Sequence, residues 1–116
     1  MFADVFKKEI GFVPPFVVGE GGWKLSDAET KLDTRFLPID DKLHAQYHVA
    51  VFDWFRTGKL SDGKPLPDYL FAFCPWMLSG SNEAGAWFDS LTGDRTQTIK
   101  AISAIPPFTR KFSWDK

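Results

Sequence analysis

The stretch His44-Ala45-Gln46-Tyr47-His48-Val49-Ala50-Val51-Phe52-Asp53-Trp54-Phe55-Arg56 decides which fold the sequence predicts. As a strand, it places five mostly apolar side chains on one face, interrupted only by Asp53: Ala45, Tyr47, Val49, Val51 and Phe55. As a helix, it leaves Val49 and Phe52 outside the apolar stripe that runs from Leu43 to Trp54. Because the alternation is the cleaner pattern, the sequence predicts a strand over residues 44–56.

The segments on either side are short and are separated by glycine and proline, which favours further strands. Residues 16–18 and 23–25 flank a glycine-rich turn and predict a hairpin. Residues 31–39 alternate in the manner of a strand that ends at Pro38. The apolar run at 68–75 is typical of a buried strand, and residues 108–114 alternate as a final edge strand with basic side chains.

One helix is predicted, near residues 82–92. Ser81 is suited to cap its first turn, Glu83 follows where the helix dipole favours an acid, and Gly93 supplies a left-handed stop. Its apolar stripe consists of Ala84, Trp87, Phe88 and Leu91. The predicted fold is therefore α+β, with a single domain over residues 1–116. It combines this helix with a small curled antiparallel sheet or partly open barrel of five to six strands.

Composition narrows the function only slightly. The chain has 116 residues, of which 14 are Lys or Arg and 15 are Asp or Glu, so the net charge of −1 selects no class of partner. Basic residues nevertheless outnumber acidic ones from Arg95 onward, which would steer a partner to one end of the surface. The single cysteine and the lack of a long apolar run predict a cytoplasmic protein without disulfides and without a membrane partner.

Few residues are candidates for chemistry. His44 and His48, with Asp40 or Asp41, have the residue types of a three-ligand metal site, but the spacing is common and lacks the glutamate of a metalloprotease. We therefore interpret the two histidines as surface residues of a polar strand face. Cys74 lies in the most apolar run and is predicted to be a buried, unreactive thiol. The sequence predicts no catalytic residue, no bound metal and no cofactor.

The aromatic content is the strongest functional signal, since the chain contains twelve Phe, five Trp and two Tyr. Rings beside arginine and hydrogen-bonding side chains are typical of protein-interface centres. The sequence therefore predicts a non-catalytic protein-binding module, a small inhibitor or adaptor comparable in size to accessory proteins of phages and mobile elements. Its alternative is a single-stranded nucleic-acid-binding protein of small-barrel type, and a homodimer is also compatible with the pattern. The predicted partner-binding residues are His44, His48, Phe52, Trp54, Arg56, Arg110, Lys111, Phe112 and Trp114.

Overall fold

In the part of the chain that the structure describes, three helices and one two-stranded sheet form a small α+β fold. The computed structural model describes residues 2–23, 25, 38–83 and 85–115. In chain order the elements are α1 (Phe2–Ile10), β1 (Phe16–Gly21), α2 (Asp41–Thr57), β2 (Leu70–Pro75) and α3 (Thr96–Ser103). The predicted curled sheet or barrel of five to six strands is therefore wrong: the described residues form only two strands, and these are parallel.

Helix α2 occupies the stretch that was predicted to be a strand. Its first turn is capped by the Asp40 carboxylate, which accepts a hydrogen bond from the Leu43 amide at 2.7 Å. It ends at Gly58, which has a φ of 69° and donates its amide to the Trp54 carbonyl. The buried residues are His44, Ala45, His48 and Val51, which fall on one helical face. The strand prediction for 44–56 is wrong because it placed both histidines outside, whereas they form part of the inward face.

The sheet is built from β1 and β2, and α2 lies in the chain between them. Phe16 pairs with Leu70 and Val18 with Phe73 in a parallel register. Parallel strands need such a crossover connection, whereas a hairpin joins antiparallel ones. The strand predicted at 68–75 is confirmed over residues 70–75. The predicted hairpin is wrong, because β1 pairs with β2 and neither Trp23 nor Leu25 lies in a strand. The predicted strand at 31–39 falls largely outside the described residues.

The helix predicted near 82–92 is also wrong, because the described residues there form turns. Gly85 has a φ of 91° and Asp89 a φ of 51°, and left-handed residues at these two positions break any continuous right-handed helix. The segment is held instead by backbone pairing, since the Trp87 amide donates to the Met77 carbonyl at 3.0 Å. Trp87 is buried, whereas Leu91 of the predicted stripe is exposed.

The C-terminal segment, residues 106–115, contains no strand, so the predicted strand at 108–114 is wrong. Two side-chain anchors hold the segment against β2 and the residues before it. The Arg110 guanidinium donates to the carbonyls of Leu70 and Phe71. The Asp68 carboxylate accepts from the Ser113 amide at 2.8 Å. Because guanidinium and carboxylate groups replace backbone ladder bonds, the segment lies against β2 without extending the sheet.

Helix α3 packs on α2. The buried apolar residues of the fold include Leu25, Val51, Leu66 and Trp87. Cys74 was predicted to be buried and is exposed, because the outward positions of β2 are 71 and 74. Among the described helices, none combines the length and the apolar character needed to cross a bilayer.

Candidate partner-binding cleft

An apolar cleft of about 210 Å³ lies between α2 and β2. The exposed rings of Phe71, from β2, and Phe108, from the C-terminal segment, form its rim. We call it the α2–β2 cleft; its walls include Val51, Phe52 and Phe55 of α2, Phe73 of β2, and Phe108 and Arg110 of the C-terminal segment. Successive turns of α2 place Phe52 and Phe55 on neighbouring positions of one side, because residues three apart share a helical face.

A row of rings extends from the cleft across the surface. Phe71 and Phe112 have ring centroids 5.4 Å apart. Phe112 and Trp114 are stacked, with centroids 4.7 Å apart and planes 8° from parallel. Phe71 is 46% exposed, Phe108 is 40% exposed and Trp114 is 42% exposed. The cleft and the row therefore form one continuous aromatic surface that water still contacts.

Arg110 fixes the geometry of this surface. Its guanidinium lies 5.1 Å from the centroid of Phe55 and 4.6 Å from that of Phe112. A guanidinium between two rings gains cation–π attraction while its N–H groups keep other partners. Here those partners are the β2 carbonyls, so one side chain joins α2, β2 and the C-terminal segment.

The structure brings together four of the predicted partner-binding residues. Phe52 and Arg110 line the cleft, and Phe112 and Trp114 form the adjoining ring row. Lys111 is exposed on the same segment. These residues were expected on strands of one sheet face, whereas the structure places them on a helix and an irregular segment.

The other four predicted residues lie elsewhere. His44 and His48 are 0% exposed, so neither ring can meet a partner at the surface of this conformation. Trp54 donates its indole N–H to the Ser61 hydroxyl at 2.8 Å, near the end of α2. Arg56 forms an exposed ion pair with Asp53 at 2.8 Å.

Sequence reasoning missed six apolar residues that line the cleft: Val51, Phe55, Phe71, Ala72, Phe73 and Phe108. Phe55 and Val51 were assigned to a core face of the strand. The alternation Phe71-Ala72-Phe73 was treated as wholly buried, although a strand in a two-stranded sheet has an open side. A sheet of only two strands would have indicated that Phe71 lies at the surface and is a candidate for the site.

The buried histidines do not form a metal site with Asp40 or Asp41. Asp41 accepts a hydrogen bond from Arg95 at 2.7 Å through its Oδ1 atom. No group of three or more His, Cys, Asp or Glu side chains suited to a metal ion occurs within residues 2–23, 25, 38–83 and 85–115.

Comparison with protein-family models, with curated proteins and with solved structures finds no match for this chain.

Proposed function

We propose that this chain is a non-catalytic protein-binding module that docks on its partner through the α2–β2 cleft, as a small inhibitor or adaptor does. The observation that carries the proposal is the cleft with its exposed rim, Phe71 and Phe108, and the adjoining ring row. Aromatic residues and arginine are the types enriched at the centres of protein interfaces.

The size of the cleft supports a protein partner. Pockets for drug-sized ligands have volumes of roughly 300–1,000 Å³, and this cleft, at about 210 Å³, is smaller. Such a volume suits one large side chain, and the ring row would then cover the surface around that anchor. An anchor in a pocket surrounded by weaker contacts is the common arrangement of interface hot spots.

The proposal assigns no reaction to the chain. The two histidines are the groups best suited to acid–base chemistry near neutral pH, and both are 0% exposed. Neither ring is therefore open to a substrate at the surface of this conformation. A cytoplasmic location also remains a prediction, based on the single cysteine.

Single-stranded nucleic acid is the alternative partner, and the geometry favours it less. Bases stack on open ring faces, whereas Phe112 and Trp114 are stacked on each other. The Arg110 guanidinium, which would meet a phosphate, donates instead to the β2 carbonyls. Titration with oligo(dT) at two salt concentrations tests the alternative, because phosphate contacts produce binding that weakens steeply with salt.

The proposal is tested by comparing exposed aromatic positions. Phe71→Ser and Phe108→Ser remove rim contacts. Phe2→Ser is the control, because it removes an equally apolar ring that is 73% exposed and does not line the cleft. Immobilised protein carrying each change is used to retain partners from lysate, with circular dichroism to establish folding. We expect both rim variants to lose one specific protein by tenfold or more while Phe2→Ser retains it.

Equal loss of the retained protein in all three variants would indicate nonspecific hydrophobic adsorption and would contradict the proposal. Retention of the same protein by both rim variants would also contradict it. Light scattering of the purified chain distinguishes a second copy from a foreign partner, since a homodimer through the cleft would dissociate in the rim variants.

A further inference from the structure

The interior of the fold contains a pair of neighbouring imidazoles whose planes are tilted by 38°. His44 and His48 are the only histidines of the chain. They lie one turn apart on α2 with ring centroids 4.3 Å apart. The Nδ1 atom of His48 lies 2.8 Å from the His44 carbonyl and must donate to it, because a carbonyl only accepts. The Nε2 atom of each ring is buried without a hydrogen-bond partner within the described part of the chain.

The pair joins α2 to three other parts of the molecule. The Nδ1 atom of His44 lies 2.7 Å from the Thr98 hydroxyl of α3, and Thr98 is 0% exposed. Trp23 meets the His48 ring edge to face at a centroid distance of 5.1 Å, and Trp87 meets it at 5.3 Å. The rings are therefore the contact point of α3, the segment after β1 and the segment around Trp87.

Burial opposes a positive charge on either ring, and this effect outweighs the backbone groups of Trp23 and Gly85, which raise the pKa of His44, and the His44 carbonyl, which raises that of His48. Thr98, Trp23 and Trp87 carry no charge, and the two rings face each other. The charged side chain that acts on the pair from the start of α3 is Arg95, which is positive and 3% exposed. The nearby carboxylate of Asp41 is already hydrogen-bonded to Arg95. Within the described residues, a proton on either imidazole would thus gain neither water nor a counter-ion.

We propose that the His44–His48 pair is a pH-sensitive latch, which holds α3, Trp23 and Trp87 against α2 while both rings are neutral and releases them when the rings take up protons. The latch does not depend on the partner-binding function of the cleft. Burial lowers the pKa of His44 to about 4 and also lowers the pKa of His48. In a released state that water reaches, each pKa returns toward 6.5. The population of the released state then rises up to tenfold per pH unit for each histidine below that value.

The direct test is amide hydrogen exchange of the unmodified protein, followed by NMR at pH 7.0 and pH 5.0 and corrected for intrinsic rates. The amides of Ile99 and Ile102 report on α3, and those of Ala72 and Phe73 report on the sheet. We expect the opening equilibrium of α3 to rise by tenfold or more at pH 5.0 and to exceed that of the sheet at both pH values, because α3 is released without global unfolding. Opening equilibria that are the same in both elements would mean that only global unfolding occurs and would overturn the proposal, as would no rise in α3.

Two variants separate the histidines from other acid-sensitive groups. His48→Phe keeps a ring between Trp23 and Trp87, and His44→Gln keeps a hydrogen-bonding group near Thr98. The doubly substituted chain is expected to retain α3 protection at pH 5.0, and an unchanged pH dependence would overturn the proposal. If the variants do not fold, the imidazole proton signals of the unmodified chain decide. Titration of both rings near pH 6.5 with α3 still protected would overturn the latch.

Discussion

Arg95 is the residue that fastens the start of α2 to the turn before α3. Its guanidinium donates to the Asp41 carboxylate at 2.7 Å and to the Thr92 carbonyl at 2.8 Å. The side chain is 3% exposed, so its hydrogen bonds replace those that water would make. A buried charge remains stable only with such a full set of partners.

Replacing Arg95 by Met therefore tests the value of a buried charge network. We expect Arg95→Met to lower the free energy of unfolding by roughly 2–3 kcal/mol, since hydrogen bonds to charged groups contribute about 1.5–3 kcal/mol. Arg56→Met is the matched control, because the Arg56–Asp53 pair is solvent-exposed and such pairs contribute about 0–1 kcal/mol. Urea denaturation measures both. Equal losses in the two variants would contradict the assigned role of Arg95.

The buried histidines give the stability of the protein a predictable dependence on pH. The pKa of His44 is about 4 in the folded chain, below the ordinary value of 6.5. The unfolded chain therefore binds more protons between these values, and stability falls as the pH falls. We expect a loss of up to about 1.4 kcal/mol per pH unit for each histidine below pH 6.5, levelling off for His44 near pH 4.

Urea denaturation at pH 7.5, 6.0 and 5.0 measures this slope. A free energy of unfolding that does not change between pH 7.5 and pH 5.0 would mean that the rings are not buried in their neutral form. The chain carrying both His44→Gln and His48→Phe is expected to lack the slope in this range.

At the scale of elements, helix α2 owes its limits to the residues at its two ends. Gly58 has a φ of 69°, which is costly for any residue with a Cβ atom, although no atom lies within 4 Å of the Cβ position. We expect Gly58→Ala to lower the free energy of unfolding by about 1 kcal/mol. Gly19 of β1 is the control, because its Cβ position is equally open and its φ is not in the left-handed region.

Thermal or urea unfolding of the two alanine variants measures the difference. Gly19→Ala is expected to be neutral or slightly stabilising, since glycine weakens a strand. If Gly58→Ala were as harmless as Gly19→Ala, α2 would not end in the left-handed cap described here.

The same end residues explain why α2 was predictable in principle and yet was predicted as a strand. Asp40 and Gly58 are a helix start and a helix stop separated by a suitable length. The prediction gave weight to side-chain alternation and treated both histidines as surface residues. Only the packing of Thr98, Trp23 and Trp87 around the rings shows that they belong to the inward face.

The other elements were predicted correctly where local sequence determines them and wrongly where tertiary contacts do. β2 was predicted because its signals, an apolar run and the proline that ends it, are both local in the sequence. The false helix near 82–92 had correct local signals, but the backbone pairing of Trp87 with Met77 overrode them. For the site, the sequence identified Arg110, Phe112 and Trp114 by their mixture of rings and charge. It could not place Phe55 and Phe73 beside them, because that contact depends on how α2 crosses the sheet.

At the scale of the whole molecule, the chain leaves much apolar surface outside its core. The radius of gyration is 16.4 Å, whereas a compact chain of this length has a radius of about 13 Å. Helix α1 buries none of its residues, and Phe2 is 73% exposed. Larger exposed apolar patches mark interaction sites on soluble proteins. The cleft differs from α1 in its concave shape and in the arginine that orders its rim.

Site-specific photo-cross-linking tests whether a partner protein binds at the α2–β2 cleft, as proposed. A benzophenone side chain is placed at Phe108 on the rim, or at Leu91, which is 66% exposed and does not line the cleft. We expect one protein adduct from position 108, abolished by Phe71→Ser, and no such adduct from position 91. The same adduct from both positions, or an adduct at 108 that persists in Phe71→Ser, would contradict the proposal.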